Sequence, residues 1–211
     1  FGFEKIYEEN FDKRKGFLQT YQCSYHQGEF HIFNAENGFL CWQDLKKQPA
    51  NSMIRAIVIT QDKENLDDDQ NAGIIFRVKN VNQAALFAVF PKNKIYQFGY
   101  WDAKVWNSIQ KKYSDAIKDD INYIDVVSMK DNLSFYVNGI KVLEEKITQK
   151  TFPESGNYTG FYSSKKMHAH FERFEIFELD SKYVYQPPLM NYVKKPLEEQ
   201  DLLKIWMFQR F

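Results

Sequence analysis

Most of this sequence alternates apolar and polar residues with a period of two, the spacing of side chains on one face of a β-strand. Clusters of Gly, Asn, Asp or Lys separate the alternating segments at the spacing of turns. The pattern predicts strands at 29–33, 39–42, 52–61, 73–79, 84–90, 94–100, 104–111, 123–129, 133–137, 140–146, 158–163 and 168–179. About a dozen strands are too many for one flat sheet, so we predict an all-β protein of two stacked antiparallel sheets.

Two Asn-Gly pairs mark the sharpest turns, because this pair readily supplies the positive φ angles of a tight hairpin. Asn37-Gly38 predicts that the strands at 29–33 and 39–42 form an antiparallel hairpin. Asn138-Gly139, together with the turn at 130–132, predicts a three-stranded meander over 123–146.

Composition and charge limit the partners of this chain. Of 211 residues, 44% are hydrophobic and 17% are aromatic, which is ample for one sizeable core. Lys plus Arg and Asp plus Glu each total 28, so no net charge attracts nucleic acid or an anionic membrane. No segment approaches the ~20 apolar residues of a membrane span. The chain starts at Phe1, and we expect a soluble piece from which any targeting segment has been removed.

The composition changes after residue 179. Pro187, Pro188 and Pro196 forbid continued strand pairing, and residues 197–211 lose the period of two. Acidic residues at the start of that segment and an apolar stripe containing Trp206 predict a short C-terminal helix. We therefore divide the chain into a sandwich at 1–179 and a strap with a helix at 180–211. We expect Trp206 to be buried against the sandwich; a neighbouring domain or a homo-oligomer contact is the alternative.

Cys23 and Cys41 are the two cysteines. They fit neither a zinc site of four ligands nor a disulfide framework, so two buried thiols are the favoured interpretation. A single disulfide linking the first strands stays open and would suit the cell envelope.

Several motifs resemble a known family when taken in order. They are Glu8-Glu9-Asn10-Phe11-Asp12, Gln27-Gly28-Glu29-Phe30-His31-Ile32, Gly73-Ile74-Ile75-Phe76-Arg77, Tyr96 to Trp106, Leu133 to Gly139, Thr159-Gly160-Phe161-Tyr162 and Phe171-Glu172-Arg173-Phe174. Their series over about residues 6–179 is similar to bacterial laminin G-like domains of the concanavalin A-like lectin/glucanase superfamily. The resemblance implies a two-sheet jelly-roll sandwich.

Glucanases of that superfamily carry a Glu-x-Asp-x-(x)-Glu strand, whose alternate carboxylates lie on one face as retaining hydrolysis requires. This sequence has no such strand. Its nearest acidic run, at 64–69, has the flanks of a loop. We therefore expect no glucanase mechanism and no carboxylate pair on the concave face.

Three groups of side chains are candidate metal ligands. Asp67 and Asp69 offer carboxylates for Ca²⁺, although a solvated loop is the simpler interpretation. The resemblance also implies a structural calcium near the first and last strands, which points to Asp12 and Glu172. His168 and His170 alternate, so they share a strand face and could present two imidazoles to a transition metal. Without a third ligand in view, an exposed polar face is the favoured interpretation.

The candidate ligand-binding residues are Arg77, Tyr100, Trp101, Asp102 and Trp106. An aromatic platform with fixed polar groups suits a carbohydrate, because sugar ring faces stack on aromatic rings and hydroxyls require hydrogen bonds. The alternative is that both tryptophans fill the core and that Arg77 pairs with an acidic neighbour.

The functional prediction is a non-catalytic recognition module of the cell envelope that binds a glycan or a protein partner. We expect the protein to be secreted, periplasmic or located at the cell surface. The rival is a glycoside-acting enzyme in the manner of the 3-keto-disaccharide hydrolases or glucanases.

Overall fold

The computed structural model describes residues 2–11, 22–26, 28–32, 39–44, 49–60, 66–80, 82–147, 156, 158–164 and 166–191. Their regular structure consists of strands, which are β1 (Phe3–Glu9), β2 (Cys23–His26), β3 (Glu29–Ile32), β4 (Phe39–Asp44), β5 (Ser52–Thr60), β6 (Ala72–Asn80), β7 (Gln83–Phe90), β8 (Ile95–Asp102), β9 (Val105–Tyr113), β10 (Ile121–Met129), β11 (Asn132–Val137), β12 (Ile140–Lys146), β13 (Tyr158–Ser163) and β14 (Ala169–Leu179). No helix in this part of the chain is long and apolar enough to cross a membrane.

The strands form two antiparallel sheets, as the alternating sequence predicts. An eight-stranded sheet has the order β12-β11-β10-β5-β14-β3-β2, with β1 also paired to β14. A six-stranded sheet has the order β4-β13-β6-β7-β8-β9. The long strand β14 pairs with β5 along one edge, while β3 and β1 share its other edge. The predicted all-β fold of two sheets is confirmed.

Phenylalanines fill the space between the sheets. Phe87 and Phe98 of the six-stranded sheet lie 4.7 Å and 4.5 Å, centroid to centroid, from Phe135 of the eight-stranded sheet. Phe161 stacks on Phe171 at 3.9 Å. These five rings are fully buried, and alternate residues of each strand point inward to meet them. The opposite, outward residues are therefore available for other roles.

The Asn138-Gly139 turn forms as predicted, with φ of 50° and 79°. The Asn138 side chain also supports the neighbouring loop. Its Oδ1 accepts from the Tyr123 backbone N at 2.9 Å, and its Nδ2 donates to Ala116 O at 2.7 Å. This asparagine both allows the turn and secures the start of β10.

The hairpin predicted at Asn37-Gly38 is wrong. β3 lies in the eight-stranded sheet between β2 and β14, whereas β4 lies at the edge of the other sheet beside β13. An Asn-Gly pair permits a tight turn but does not determine which strands pair with each other. Every residue of β3 is buried, and a strand between two others hides its backbone better than the edge of an isolated hairpin does.

A disulfide joins Cys23 of β2 to Cys41 of β4, so the interpretation as two thiols is wrong. β2 and β4 are edge strands of different sheets, and both cysteines are buried at the boundary between them. The cysteines are 18 residues apart in the sequence, and β3 lies between their two strands along the chain. The bond therefore links the two layers.

Beyond β14, a segment of chain crosses the outer face of the eight-stranded sheet. Tyr185 stacks on Tyr136 with ring centroids 3.6 Å apart and planes 10° apart. Its hydroxyl donates to Asp125 at 2.6 Å, and the Gln186 carbonyl accepts from Arg55 at 2.9 Å. The predicted helix at 197–211, with Trp206, lies outside the described residues, and the division at residue 180 stays a prediction.

Candidate functional site

The outer face of the six-stranded sheet carries a group of half-buried aromatic side chains. They lie over a floor of small and branched apolar residues that includes Ile75, Ala84 and Ala88. We call the group the outer aromatic cluster, and its members are Trp101, Trp106, Tyr158 and Tyr162. Half-buried rings at the surface of a sheet offer apolar faces that a ligand can contact.

The hairpin of β8 and β9 places the two tryptophans together. Ala103 and Lys104 form its turn with φ of 47° and 75°, which brings Trp101 directly opposite Trp106. Their ring centroids are 4.6 Å apart with planes at 54°. Tyr162 of β13 lies 5.9 Å from Trp101, so rings from distant parts of the chain form one surface.

Gly99 provides the space beneath Trp106. A Cβ atom at Gly99 would lie 2.6 Å from Cζ2 and 2.8 Å from Cη2 of the Trp106 ring, closer than such atoms can approach. It would also lie 2.4 Å from the Asn107 carbonyl. The indole therefore packs directly on the backbone, and the glycine sets its height above the sheet.

Asp102 and Tyr162 lie on opposite faces of the six-stranded sheet. The exposed Asp102 follows the outward Trp101 and pairs across the hairpin with Val105, so by strand alternation it lies on the face opposite the tryptophans. Its carboxylate accepts a hydrogen bond from Gln83 Nε2 at 3.3 Å. Burial raises the pKa of Tyr162, and the charge of Asp69 raises it further. The Tyr162 hydroxyl therefore stays protonated near an acidic group, where it can donate a hydrogen bond.

The structure brings some of the sequence candidates together and separates others. Trp101, Asp102 and Trp106 lie at one hairpin, whereas Tyr100 packs against the core on the opposite face. Arg77 lies at a bulge of β6 with φ of 54°, and burial lowers its pKa. The interpretation that both tryptophans fill the core is wrong, because they belong to the outward apolar group.

Tyr162 was not among the sequence candidates. It lies beside Trp101 because β13 pairs with β6, which places β13 three strands from β8 in the sheet. No local sequence motif predicts this order of strands.

The acidic calcium candidates are not gathered into a cluster among the described residues. Asp67 and Asp69 are exposed in a turn where Asp67 N donates to Gln70 Oε1 at 3.1 Å. Glu172 lies at the bulge of β14, and Asp12 falls outside the described residues. Calcium binding stays a prediction.

Three histidines do form a group with metal-site spacing. His31 of β3 lies directly opposite His170 of β14, and His168 precedes that strand. We call His31, His168 and His170 the histidine cluster. His31 and His170 are 1% and 0% exposed, so the expected exposed polar face is wrong. The third histidine lies on β3, 137 residues from His168, so the spacing of His168 and His170 could not reveal it.

Comparison of this structure with solved structures identifies its fold. A module named CBM2, from the evolved Dit of Lactobacillus casei BL23 phage J-1, matches with a TM-score of 0.59 and 10% identity, covering 87% of this chain and 99% of that one. The carbohydrate-binding module CBM66 from Bacillus subtilis matches with a TM-score of 0.52 and 10% identity, over 81% and 92% of the two chains.

Laminarinase from Flavobacterium sp. UMI-01 matches with a TM-score of 0.62 and 12% identity, over 83% and 100%. The fold is thus the two-sheet jelly-roll sandwich that these two modules and this laminarinase share, as the sequence motifs predict. No protein-family model and no curated protein matches the sequence.

Proposed function

We propose that this protein is a non-catalytic glycan-recognition module whose binding surface is the outer aromatic cluster. The observation that carries the proposal is the contact of Trp101 with Trp106 and Tyr162 on the outward face of a sheet. Aromatic faces of this kind stack on the apolar faces of sugar rings. A protein ligand on the same surface is the alternative partner.

One hydroxyl group of the cluster supports the polar part of such a site. The Tyr162 hydroxyl, which lies near Asp69 and stays protonated, provides a fixed hydrogen-bond donor among the rings. Sugar hydroxyls require hydrogen bonds of this kind for orientation. The fold likeness to two carbohydrate-binding modules adds support, as does the disulfide, which suits a secreted or surface protein.

A glycan array followed by calorimetry tests the proposal. We expect the wild-type chain to bind an oligosaccharide and Trp106→Ala to weaken that binding about 5- to 150-fold, since a stacked aromatic contributes on the order of 1–3 kcal/mol. The matched control is Tyr113→Ala. Tyr113 is a 55% exposed aromatic residue at the other end of the same β8–β9 hairpin. This variant should bind as the wild type does.

Two results would contradict the proposal. One is equal affinity of the Trp106→Ala and wild-type proteins for every glycan that binds. The other is release of reducing sugar from an oligosaccharide panel that one carboxylate substitution abolishes, because that result would identify a glycoside-acting enzyme instead.

A further inference from the structure

The histidine cluster lies on the outer face of the other, eight-stranded sheet, away from the outer aromatic cluster. Phe30 and Ile32 of β3 point into the core, so His31 between them points outward. His170 alternates in the same way between Ala169 and Phe171. The ring centroids of His31 and His170 are 3.7 Å apart, and those of His168 and His170 are 4.2 Å apart.

We propose that the histidine cluster binds a Zn²⁺ ion through one nitrogen from each imidazole. One ring nitrogen from each of the three histidines can be found such that all three lie within 4.8 Å of one another. His31 Nδ1 and His168 Nε2 are 3.1 Å apart. Two nitrogens bound to one tetrahedral zinc at ~2.0–2.1 Å are about 3.3 Å apart, so this pair already has the required separation. His168 is the least buried of the three histidines. A small movement of its side chain would bring the nitrogens that are farther apart to the separation that zinc requires.

Glu29 orients one of the ligands. Its Oε2 lies 2.6 Å from His170 Nδ1 and 3.7 Å from His31 Nε2. An imidazole that donates its Nδ1 proton to a carboxylate presents Nε2 as the lone-pair donor, an arrangement common behind metal-binding histidines. Glu29 is therefore a positioning residue for His170. Solvent would complete the coordination of the ion.

The donor set selects the class of metal. Imidazole nitrogens suit zinc and other late first-row ions, whereas calcium and magnesium require mostly oxygen ligands. The cluster also joins β3 to β14, two strands of the same sheet. Metal binding would thus stabilise this edge of the sheet, because an ion that binds only the folded state raises the melting temperature.

Equilibrium dialysis with ZnCl₂ at pH 7.5, followed by elemental analysis, tests the site on protein first stripped with EDTA. We expect one zinc per chain with micromolar or tighter affinity, and a melting temperature that rises with zinc concentration. Co²⁺ bound in place of zinc should give the visible absorption band that is typical of a cobalt ion with a low coordination number. The His168→Gln protein should keep the melting temperature of the metal-free wild type and lose at least tenfold in affinity.

Glu29→Gln should still bind one zinc at saturation but with an affinity reduced about 10–100-fold. The control is Asp69→Asn, which alters the exposed acidic turn and should leave zinc affinity unchanged. Absence of saturable zinc binding by the wild type would overturn the proposal. Equal zinc affinity of His168→Gln and wild type would also overturn it. Neither result bears on glycan binding, which is measured on the opposite sheet.

Discussion

Removal of the Asp125 carboxylate gives the sharpest test of how the segment after β14 is held. Asp125 is 1% exposed and accepts from Arg55 Nε and Nη2, both at 2.8 Å, in a bidentate pair. It also accepts from the Tyr185 hydroxyl at 2.6 Å. Burial alone would lower the pKa of Arg55. The hydrogen bond to Asp125 and the charge of Asp125 have the larger combined effect, so the pKa of Arg55 is raised.

The expected loss of stability follows from the charge that Asp125→Ala leaves behind. Breaking a buried ion pair by removing one partner costs on the order of 3–5 kcal/mol. The Arg55 side chain is only 14% exposed, so water cannot fully replace the carboxylate. Glu175 lies directly opposite Arg55 on β14, and its negative charge compensates part of the positive charge that Asp125→Ala leaves behind. We therefore expect a loss of about 3 kcal/mol in the free energy of unfolding, at the lower end of that range. For a chain of this size that corresponds to a melting temperature lower by about 6–12 °C.

Calorimetry and urea unfolding measure this effect against a matched control. Lys141 and Glu144 form an ion pair of 2.7 Å whose side chains are 47% and 52% exposed. Exposed pairs contribute about 0–1 kcal/mol, so Glu144→Ala should lower the melting temperature by no more than about 4 °C. The double variant Arg55→Met with Asp125→Leu should recover at least half of the loss, because no buried charge is left unpaired. Equal destabilisation by Asp125→Ala and Glu144→Ala would refute the reasoning.

Three other predictions concern pH, the disulfide and the floor of the aromatic cluster. Burial and the charge of Asp125 raise the Tyr185 pKa, so the folded chain keeps a proton that the unfolded chain releases above about pH 10. The free energy of unfolding should therefore fall above that pH, and less steeply in Tyr185→Phe; identical slopes in urea titrations would contradict this. Reduction of the Cys23–Cys41 bond should cost about 3 kcal/mol, and an unchanged melting temperature with both thiols titratable would contradict it. Gly99→Ala should displace the Trp106 ring, quench or shift its fluorescence and weaken any glycan affinity, whereas unaltered fluorescence and affinity would show that the ring does not depend on the glycine.

The sequence predicts the strands well where burial alone determines them. The segments at 52–61, 84–90 and 133–137 match β5, β7 and β11 to within one residue at each end, because one face of each strand must be apolar. β1 escapes prediction because charged residues such as Lys5 and Glu8 occupy its exposed positions and dilute the pattern. β2, with four residues, is not predicted either, although β3 is equally short and is predicted.

The candidate site could be predicted only where one hairpin contains it. Trp101, Asp102 and Trp106 are close in sequence, and the turn between them fixes their relation. Tyr162 and His31 join their partners through pairing between distant strands, which depends on the order of strands in each sheet. A period of two reveals which residues share a face of one strand, but it contains no information about the neighbouring strand.

The difference between inward and outward residues explains how proteins that share only about 10% sequence identity can have this fold. Stacking two sheets requires inward apolar residues that fill a common volume, and many combinations of Phe, Ile and Val satisfy that requirement. The outward residues carry no such constraint, so they are where proteins with this fold can differ in function. In this chain one outward face presents the aromatic cluster and the other presents the histidine cluster and the Arg55–Asp125 pair. Its specific chemistry must therefore be sought on those two faces, because the core would look much the same in a lectin and in a glucanase.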